Sequence, residues 1–454
     1  MTEMFPAEIW DSPEAFKFAG IRGYDPMTAK ELETEEVQNA KFLDSENFIE
    51  EKFDGTRALV YFLSAKNING GEDGYCRVFS RRVSKKTGFY AENTDRVPHI
   101  RDIDKPEMAG TILDGEMFIN GLPFKAVASV LNCLPEEAVE RQIRDGNITF
   151  HAFDILFFDG VDVRNVPLFK RKEYLHLAVE EADSEWIEEV KYFRCGDHIN
   201  ASLQEIAGDS FNKLLENRDA LTPFPELLDA TYKAEINPDS KISPRAYYEY
   251  IVASGGEGVI VKNSAGKYHH KRGWEYSKVK KFLTRDLIVT GFSDPTKEYS
   301  GKEIHKWNYW VRKKDGAKIL GNFYGNDDYF PVTRHYFYDQ VGNLLLGVLI
   351  SPEELEKIPE KKKGFLSFPE ELNVEAPEGY QIMEVCECAG FDDEMRKHFS
   401  ENKDDMYGSV IEVKANELFK DTGKMRHPRF LRIRYDKEAE RCTWKDHVGE
   451  ESVI

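Results

Sequence analysis

Lys52 stands between two β-patterned runs, at the head of Lys52-Phe53-Asp54-Gly55-Thr56-Arg57. Phe48-Ile49 reads as the end of a strand that delivers the lysine, and the alternating run 57–62 as the strand that carries the chain away. A tight turn at Asp54-Gly55 would aim the amine into a pocket. A lysine is a nucleophile only when neutral, and at its reference pKa roughly one amine in a few thousand is neutral at pH 7. Asp54 is placed to orient the amine. Arg57 adds positive charge, which disfavours an ammonium and suits a phosphate.

Five further blocks follow in a fixed order: LDGEMFI (113–119), HAFDILFFDG (151–160), GGEGVIVK (255–262), SKVKK (277–281) and HPRFLRIRYDK (427–437). With the lysine block they resemble the covalent nucleotidyltransferases, specifically the ATP-dependent DNA ligases, over residues 26–437. Pro26-Met27-Thr28-Ala29-Lys30 resembles the opening of the ligase catalytic core. Capping guanylyltransferases share Lys-x-Asp-Gly and an RxDK ending, and RNA ligases share the lysine chemistry. PMTAK, EGVIVK and FDILFFDG stand closer to the DNA ligases. A nucleic-acid-binding barrel protein with a decayed catalytic domain is the non-enzymatic alternative; every expected catalytic residue type is nevertheless present.

The chain has 454 residues, enough for two or three domains. Its net charge of −20 argues against indiscriminate coating of DNA. The cations are concentrated, however: Lys262, Lys267, Lys271, Arg272, Lys278, Lys280 and Lys281; Lys424, Arg426, Arg429, Arg432 and Arg434; and Arg81, Arg82, Lys85 and Lys86. All three runs coincide with the motif blocks. The acids gather in 31–51 and 180–189, which reads as a solvated exterior around a positive cleft. Six scattered cysteines, no signal-peptide pattern and no membrane-length apolar run suit a reducing cytoplasm, a host's if the protein is viral or phage. Cys386 and Cys388 read as one face of a strand.

No Walker-type or GxGxxG loop occurs, so bound ATP is not held by a P-loop. Residues 1–25 read as a lead-in, and 26–282 as one α+β adenylation domain of packed antiparallel sheets. Hairpin signals stand at Asn69–Gly74, which would return Arg81 toward Lys52, and at Asn120-Gly121. Helices are expected over 136–145, 172–181 and 243–254. From 283 onward, short strands at 287–291, 307–312, 344–350, 381–388 and 410–414 suit a barrel of the OB type, which the ligase resemblance also implies. Residues 351–378 read as an insertion in it, and the spacer 161–256 as longer than usual for ligases. The compact chain and its short lead-in suggest a viral or phage repair and replication enzyme.

Transfer from ATP requires attack on the α-phosphorus, assigned to Lys52, and fixed cations around that phosphate. Lys278 and Lys280 alternate on one strand face and suit the α-phosphate between them. Glu116 and Glu257 are the metal candidates, because Mg²⁺ (with Mn²⁺ able to substitute) takes one or two carboxylates and keeps several waters. The resemblance implies further roles. Phe153 would stack on adenine, Glu50 would face its amino edge, and Glu116 would lie near the ribose. Arg57 and Arg81 would hold ribose or the 5′-phosphate of a nick, and Arg272 would contact the nucleotide. Arg434, Asp436 and Lys437 would swing onto the leaving pyrophosphate about a hinge near 282–286. The partner implied is nicked duplex DNA, encircled by a monomer with binding that weakens steeply as salt rises.

Overall fold

The computed structural model describes residues 26–32, 34–63, 76–83, 90–122, 124–199, 241–269, 272–301, 303–369 and 374–449. The lead-in 1–25, the expected hairpin loop at Asn69–Gly74, Lys85, Lys86 and Lys271 lie outside the described residues, as do 200–240 of the long spacer and 370–373 of the expected insertion. The chain divides into two compact units, the first ending at Lys281 and the second beginning at Phe282.

The first unit is built on two sheets. Its strands are β1 (Thr28–Glu31), β2 (Asn47–Lys52), β3 (Thr56–Phe62), β4 (Cys76–Val83), β5 (Tyr90–Glu92), β6 (Ile112–Phe118), β7 (Thr149–Phe158), β8 (Val161–Asp162), β9 (Ile187–Glu189), β10 (Tyr192–Arg194), β11 (Gly258–Asn263) and β12 (Arg272–Lys280). One sheet has the order β1-β12-β11-β2-β10, and the other β5-β4-β3-β6-β7-β8, with β9 pairing on β7. Pairing is antiparallel except for β1 with β12 and β7 with β9. The turn at Asp54-Gly55 thus carries the chain from one sheet to the other.

Strand alternation sorts the side chains. In the first sheet Ile49, Val259, Val261 and Val279 face a core shared with Phe42, Ala246 and Ile251. Phe48 and Tyr276 face the other way, into a cluster with Leu59, Tyr61, Ile112 and Phe157 of the second sheet. The outer face of the second sheet, with Ala58, Val60, Leu113 and Phe150, packs on helices. The two sheets therefore meet through one shared face, with helices covering the outsides.

Helix α1 spans Glu35–Leu43, α2 Phe124–Leu131, α3 Pro135–Asp145, α4 Leu168–Ala182 and α5 Pro244–Ala253. The last begins where the sequence indicates, because the Ser243 hydroxyl accepts from the Ala246 amide as its N-cap. Two expectations are corrected. Asn120-Gly121 does not make a hairpin: Gly121 turns at φ +75, and the chain runs into α2 and α3 before β7 returns beside β6. The acid-rich stretch 31–51 is not wholly exterior, since Glu50 is 1% exposed.

The second unit has a five-stranded sheet, β18-β17-β13-β19-β22, formed by β13 (Leu283–Phe292), β17 (Leu344–Ile350), β18 (Gln381–Cys388), β19 (Val410–Ala415) and β22 (Arg429–Ile433). Leu287, Val289, Leu346, Val348, Met383 and Val413 are buried on one face, and Ile288, Leu349, Ile382 and Val410 on the other. The expected strand at 307–312 does not join it. Its core, β14 (Tyr309–Arg312), pairs with β15 (Lys318–Leu320) and β16 (Tyr329–Pro331) in a separate three-stranded sheet between β13 and β17. Its aromatic residues pack locally, with Tyr299 stacked on Trp307 at 3.6 Å. A further pair joins β20 (Glu417–Phe419) to β21 (Lys424–Arg426). The expected insertion carries two short helices, α6 (Pro352–Lys357) and α7 (Glu360–Lys363). No described helix is long and apolar enough to cross a membrane.

Candidate active site

Register in the first sheet sets out the site. Gly258 of β11 pairs with Lys52 of β2 on one side and Lys280 of β12 on the other, so the two lysines end one cross-strand row. The next row, two residues back, is Glu50, Ile260 and Lys278, and the next Phe48, Lys262 and Tyr276. Because side chains on one strand face recur every second residue, all three rows share a face. Gly258 permits the approach: it sits at φ +140, and a Cβ there would lie 2.2 Å from the Val279 carbonyl oxygen.

The second sheet supplies the opposite wall. Gly55 brings the β2–β3 turn against β6, where a Cβ would lie 2.2 Å from the Met117 carbonyl oxygen and 2.9 Å from Glu116 Cγ. Arg57 stands opposite Glu116 in the β3–β6 ladder. Between these walls lies a cavity of about 340 Å³, in the size range of small-ligand sites. Its lining includes Met27, Glu50, Lys52, Arg57, Arg81, Glu116, Phe153, Lys262, Arg272 and Lys278. The structure thus brings most of the sequence-selected residues to one cavity, Arg81 among them. Asp54 lies in the turn beside Lys52, and Lys280 at the end of β12 next to Lys278.

The partners of these groups define what each is free to do. Lys52 Nζ donates to the Glu257 carboxylate and, at 3.4 Å, to the Phe53 carbonyl. Burial, then the neighbouring charge of Lys278, lowers the Lys280 ammonium below its ordinary range. Lys278 lies 3.5 Å from Glu31. Burial pushes the Glu116 carboxyl up to about 7 against the pull of Lys52 and Arg57, with Glu257 and Asp114 adding to the rise. Arg57 is committed: Nε and one terminal nitrogen donate to Asp114 at 2.9 and 2.6 Å, and the other to the Met27 carbonyl. Its guanidinium therefore reaches the cavity as part of a neutralised pair, not as the free phosphate-gripping cation expected from sequence.

Glu50 is likewise engaged. Lys172 of α4 lies 2.7 Å from Oε1, and Lys262 lies 2.6 Å from Oε2. Lys262 also donates to the Phe153 carbonyl at 3.1 Å, with its ammonium over the Phe153 ring at 4.6 Å. Burial, with Lys172 adding and Glu50 opposing, lowers Lys262 to about 8. Sequence reasoning missed Lys172 and gave Lys262 no role beyond its charge run, although it closes a motif block. It also missed two buried supports: Tyr268, whose hydroxyl donates to Asp114 at 2.7 Å, and Arg171, which forks onto Asp154 at 2.7 and 3.0 Å.

Arg434, Asp436 and Lys437 belong to the second unit, where Asp286 of β13 holds both cations. Arg434 lies 3.0 Å from each Asp286 oxygen and Lys437 2.9 Å from one, while Asp436 takes the other edge of Arg434 at 2.8 Å. Among the described residues no group of three or more His, Cys, Asp or Glu is arranged to hold a metal. Glu116 and Glu257 are the carboxylates that would hold a magnesium ion, since the charge of Glu257 adds to the rise of the buried Glu116 carboxyl and a nearby cation would relieve it.

Residues 26–211 match the family model described as the ATP dependent DNA ligase domain. The chain resembles the ATP-dependent DNA ligases. A DNA ligase 2 of Methanosarcina acetivorans is 27% identical over 407 residues, covering 88% of this chain and 54% of that protein. A DNA ligase of Archaeoglobus fulgidus is 23% identical over 404 residues, with the same coverage of 88% and 54%. The chain spans about half the length of these curated ligase relatives. A solved structure described as a structure-function analysis of Lig E DNA ligases is 17% identical, covering 90% of this chain and 98% of that chain, with a TM-score of 0.45.

Proposed function

We propose that this chain is an ATP-dependent DNA ligase that seals 5′-phosphate/3′-hydroxyl nicks through an AMP bonded to Lys52. The observation that carries the reading is the row Lys52–Gly258–Lys280, flanked by Lys278, Glu116 and Phe153 around one cavity. That arrangement supports reading Lys52 as nucleophile, Lys278 and Lys280 as phosphate-binding cations and Phe153 as an aromatic platform for one nucleotide.

In this reading Lys52 leaves Glu257, passes a proton to solvent and attacks the α-phosphorus. A P–N bond forms as the bond to diphosphate breaks. Lys278 and Lys280 hold the α-phosphate, and Asp54 orients the amine. Phe153 stacks on the base. Glu50 accepts from the adenine amino group, while Lys262 beside it donates toward the ring nitrogen. Guanine presents the reverse order of donor and acceptor and is disfavoured. Glu116 and Glu257 are the residues that would hold Mg²⁺, which supplies charge neutralisation at the phosphates when bound. Arg57 supports the ribose side through Asp114, while Arg81 and Arg272 serve the nucleotide or the nick phosphate.

Next, a 5′-phosphate oxygen attacks the lysine-bound phosphorus and releases the amine. The 3′-hydroxyl then attacks that 5′-phosphate and AMP leaves. Residues 26–282 form the adenylation domain, and 283–454 an OB-type barrel carrying an insertion near 351–378. Arg434, Asp436 and Lys437 assist diphosphate departure about a hinge at 282–286. The protein works as a monomer in the cytoplasm on nicked duplex DNA, with binding that weakens as salt rises. The archaeal relatives named above lend no support to the viral or phage origin expected from sequence.

Incubation with α-labelled ATP or GTP, followed by nicked duplex DNA, tests the reading. ATP alone should label the protein, and the label should leave as AMP when the nick is sealed. Labelling by GTP alone, or joining of RNA ends with nicked DNA ignored, would overturn it.

A further inference from the structure

Lys172 lies on α4, outside every motif block, yet it is 0% exposed and 2.7 Å from Glu50 Oε1. Lys262, 2% exposed, takes the other oxygen at 2.6 Å. One lysine would neutralise Glu50, whereas two leave a buried cluster of net positive charge. Well-packed apolar residues would avoid the desolvation of such charges. The three do not stand equally to the cavity: Glu50 and Lys262 line it, while Lys172 sits behind with its ammonium 4.6 Å from the Tyr192 ring centroid. Tyr192 pairs with Glu50 across β10 and β2, so strand and helix fix the two ends of this contact.

We propose that Lys172 is a positioning residue that aims the Glu50 carboxylate at the 6-amino group of the bound purine. It touches no substrate and acts through Glu50, so it rests on the adenine role given to Glu50 above. Ion pairing of Lys172 with Oε1 at 2.7 Å and of Lys262 with Oε2 at 2.6 Å opposes rotation of the carboxylate and favours one orientation of its lone pairs. Losing Lys172 frees that rotation while leaving the nucleophile and phosphate cations in place.

The test compares lysine adenylylation by ATP with the same reaction of purine riboside triphosphate, which lacks the 6-amino group. The wild-type protein should prefer ATP by roughly 10-fold or more in kcat/KM, the order expected for one hydrogen bond to a charged acceptor. Lys172→Met should reduce that preference to about 3-fold or less, with the change in KM for ATP and not in kcat, and Lys172→Arg should restore it. If Lys172→Met does not fold, as judged by its thermal melt, Lys172→Gln should show the same loss. A folded, uncharged variant that keeps the wild-type preference overturns the role of Lys172 alone. A wild-type protein with no preference overturns the Glu50 reading and this proposal with it.

Discussion

Glu257 and Lys52 form a direct ion pair where β11 meets the end of β2. The nucleophile is thereby engaged by the carboxylate proposed to hold metal, and it must exchange that contact for the α-phosphate. Glu257→Gln keeps the shape and removes the charge. Single-turnover labelling by ATP should slow by roughly 10²–10³-fold, the scale of losing one preorganised electrostatic group. A fall of less than about 5-fold would remove Glu257 from the reaction.

Phe153 lies at the cavity wall with Lys262 and Arg57 near its ring, at 4.6 and 5.1 Å. Phe153→Ala should raise KM for ATP by roughly 10- to 100-fold, since stacking of a base on an aromatic ring is worth about 1–3 kcal/mol. The rate at saturating ATP should change far less. Initial-rate measurement over ATP concentration separates the two outcomes, and an unchanged KM would assign Phe153 to the core.

Glu116, raised to about 7 by burial, and Lys262, lowered to about 8 by burial, bracket neutral pH. As pH falls through about 7, Glu116 gains a proton and loses its capacity to hold a cation. As pH rises through about 8, Lys262 loses its charge on Glu50. The pH profile of kcat/KM for adenylylation should be bell-shaped between these limits. Glu116→Gln should abolish the acidic limb together with most activity, and Lys262→Met should remove the basic limb.

Asp154 and Arg171 are both fully buried and form a forked pair supported by the Tyr276 hydroxyl. Burial alone would raise the Asp154 carboxyl, but Arg171 foremost, with Lys262 and Tyr276, draws it down to about 2. A depressed carboxyl stabilises the fold above its unfolded pKa near 4 and loses that contribution as pH falls toward 2. Asp154→Ala strands a buried guanidinium and should cost about 3–5 kcal/mol in urea denaturation. A loss below about 1 kcal/mol would contradict the assignment.

The parts legible in the sequence were those fixed by local pattern. Alternation placed Lys52 at a strand end, the helix expected over 243–254 formed as α5, and the short strands expected at 344–350 and 381–388 became β17 and β18. What escaped depended on partners distant in the chain. A lysine or arginine reads as a surface residue, and nothing near Lys172 or Arg171 shows that Glu50 and Asp154 wait across the fold. Asn120-Gly121 offers a turn whether a strand or a helix follows, and the amphipathic runs of α2 and α3 decided it. Arg57 shows the same limit, because the carboxylate that commits it lies in another block.

The most direct measurement is intact-protein and peptide mass analysis after exposure of AMP-free, folded protein to ATP and magnesium. The account predicts one added adenylate, located on Lys52 and absent from Lys52→Ala. No adduct, or an adduct on any other residue, would contradict it.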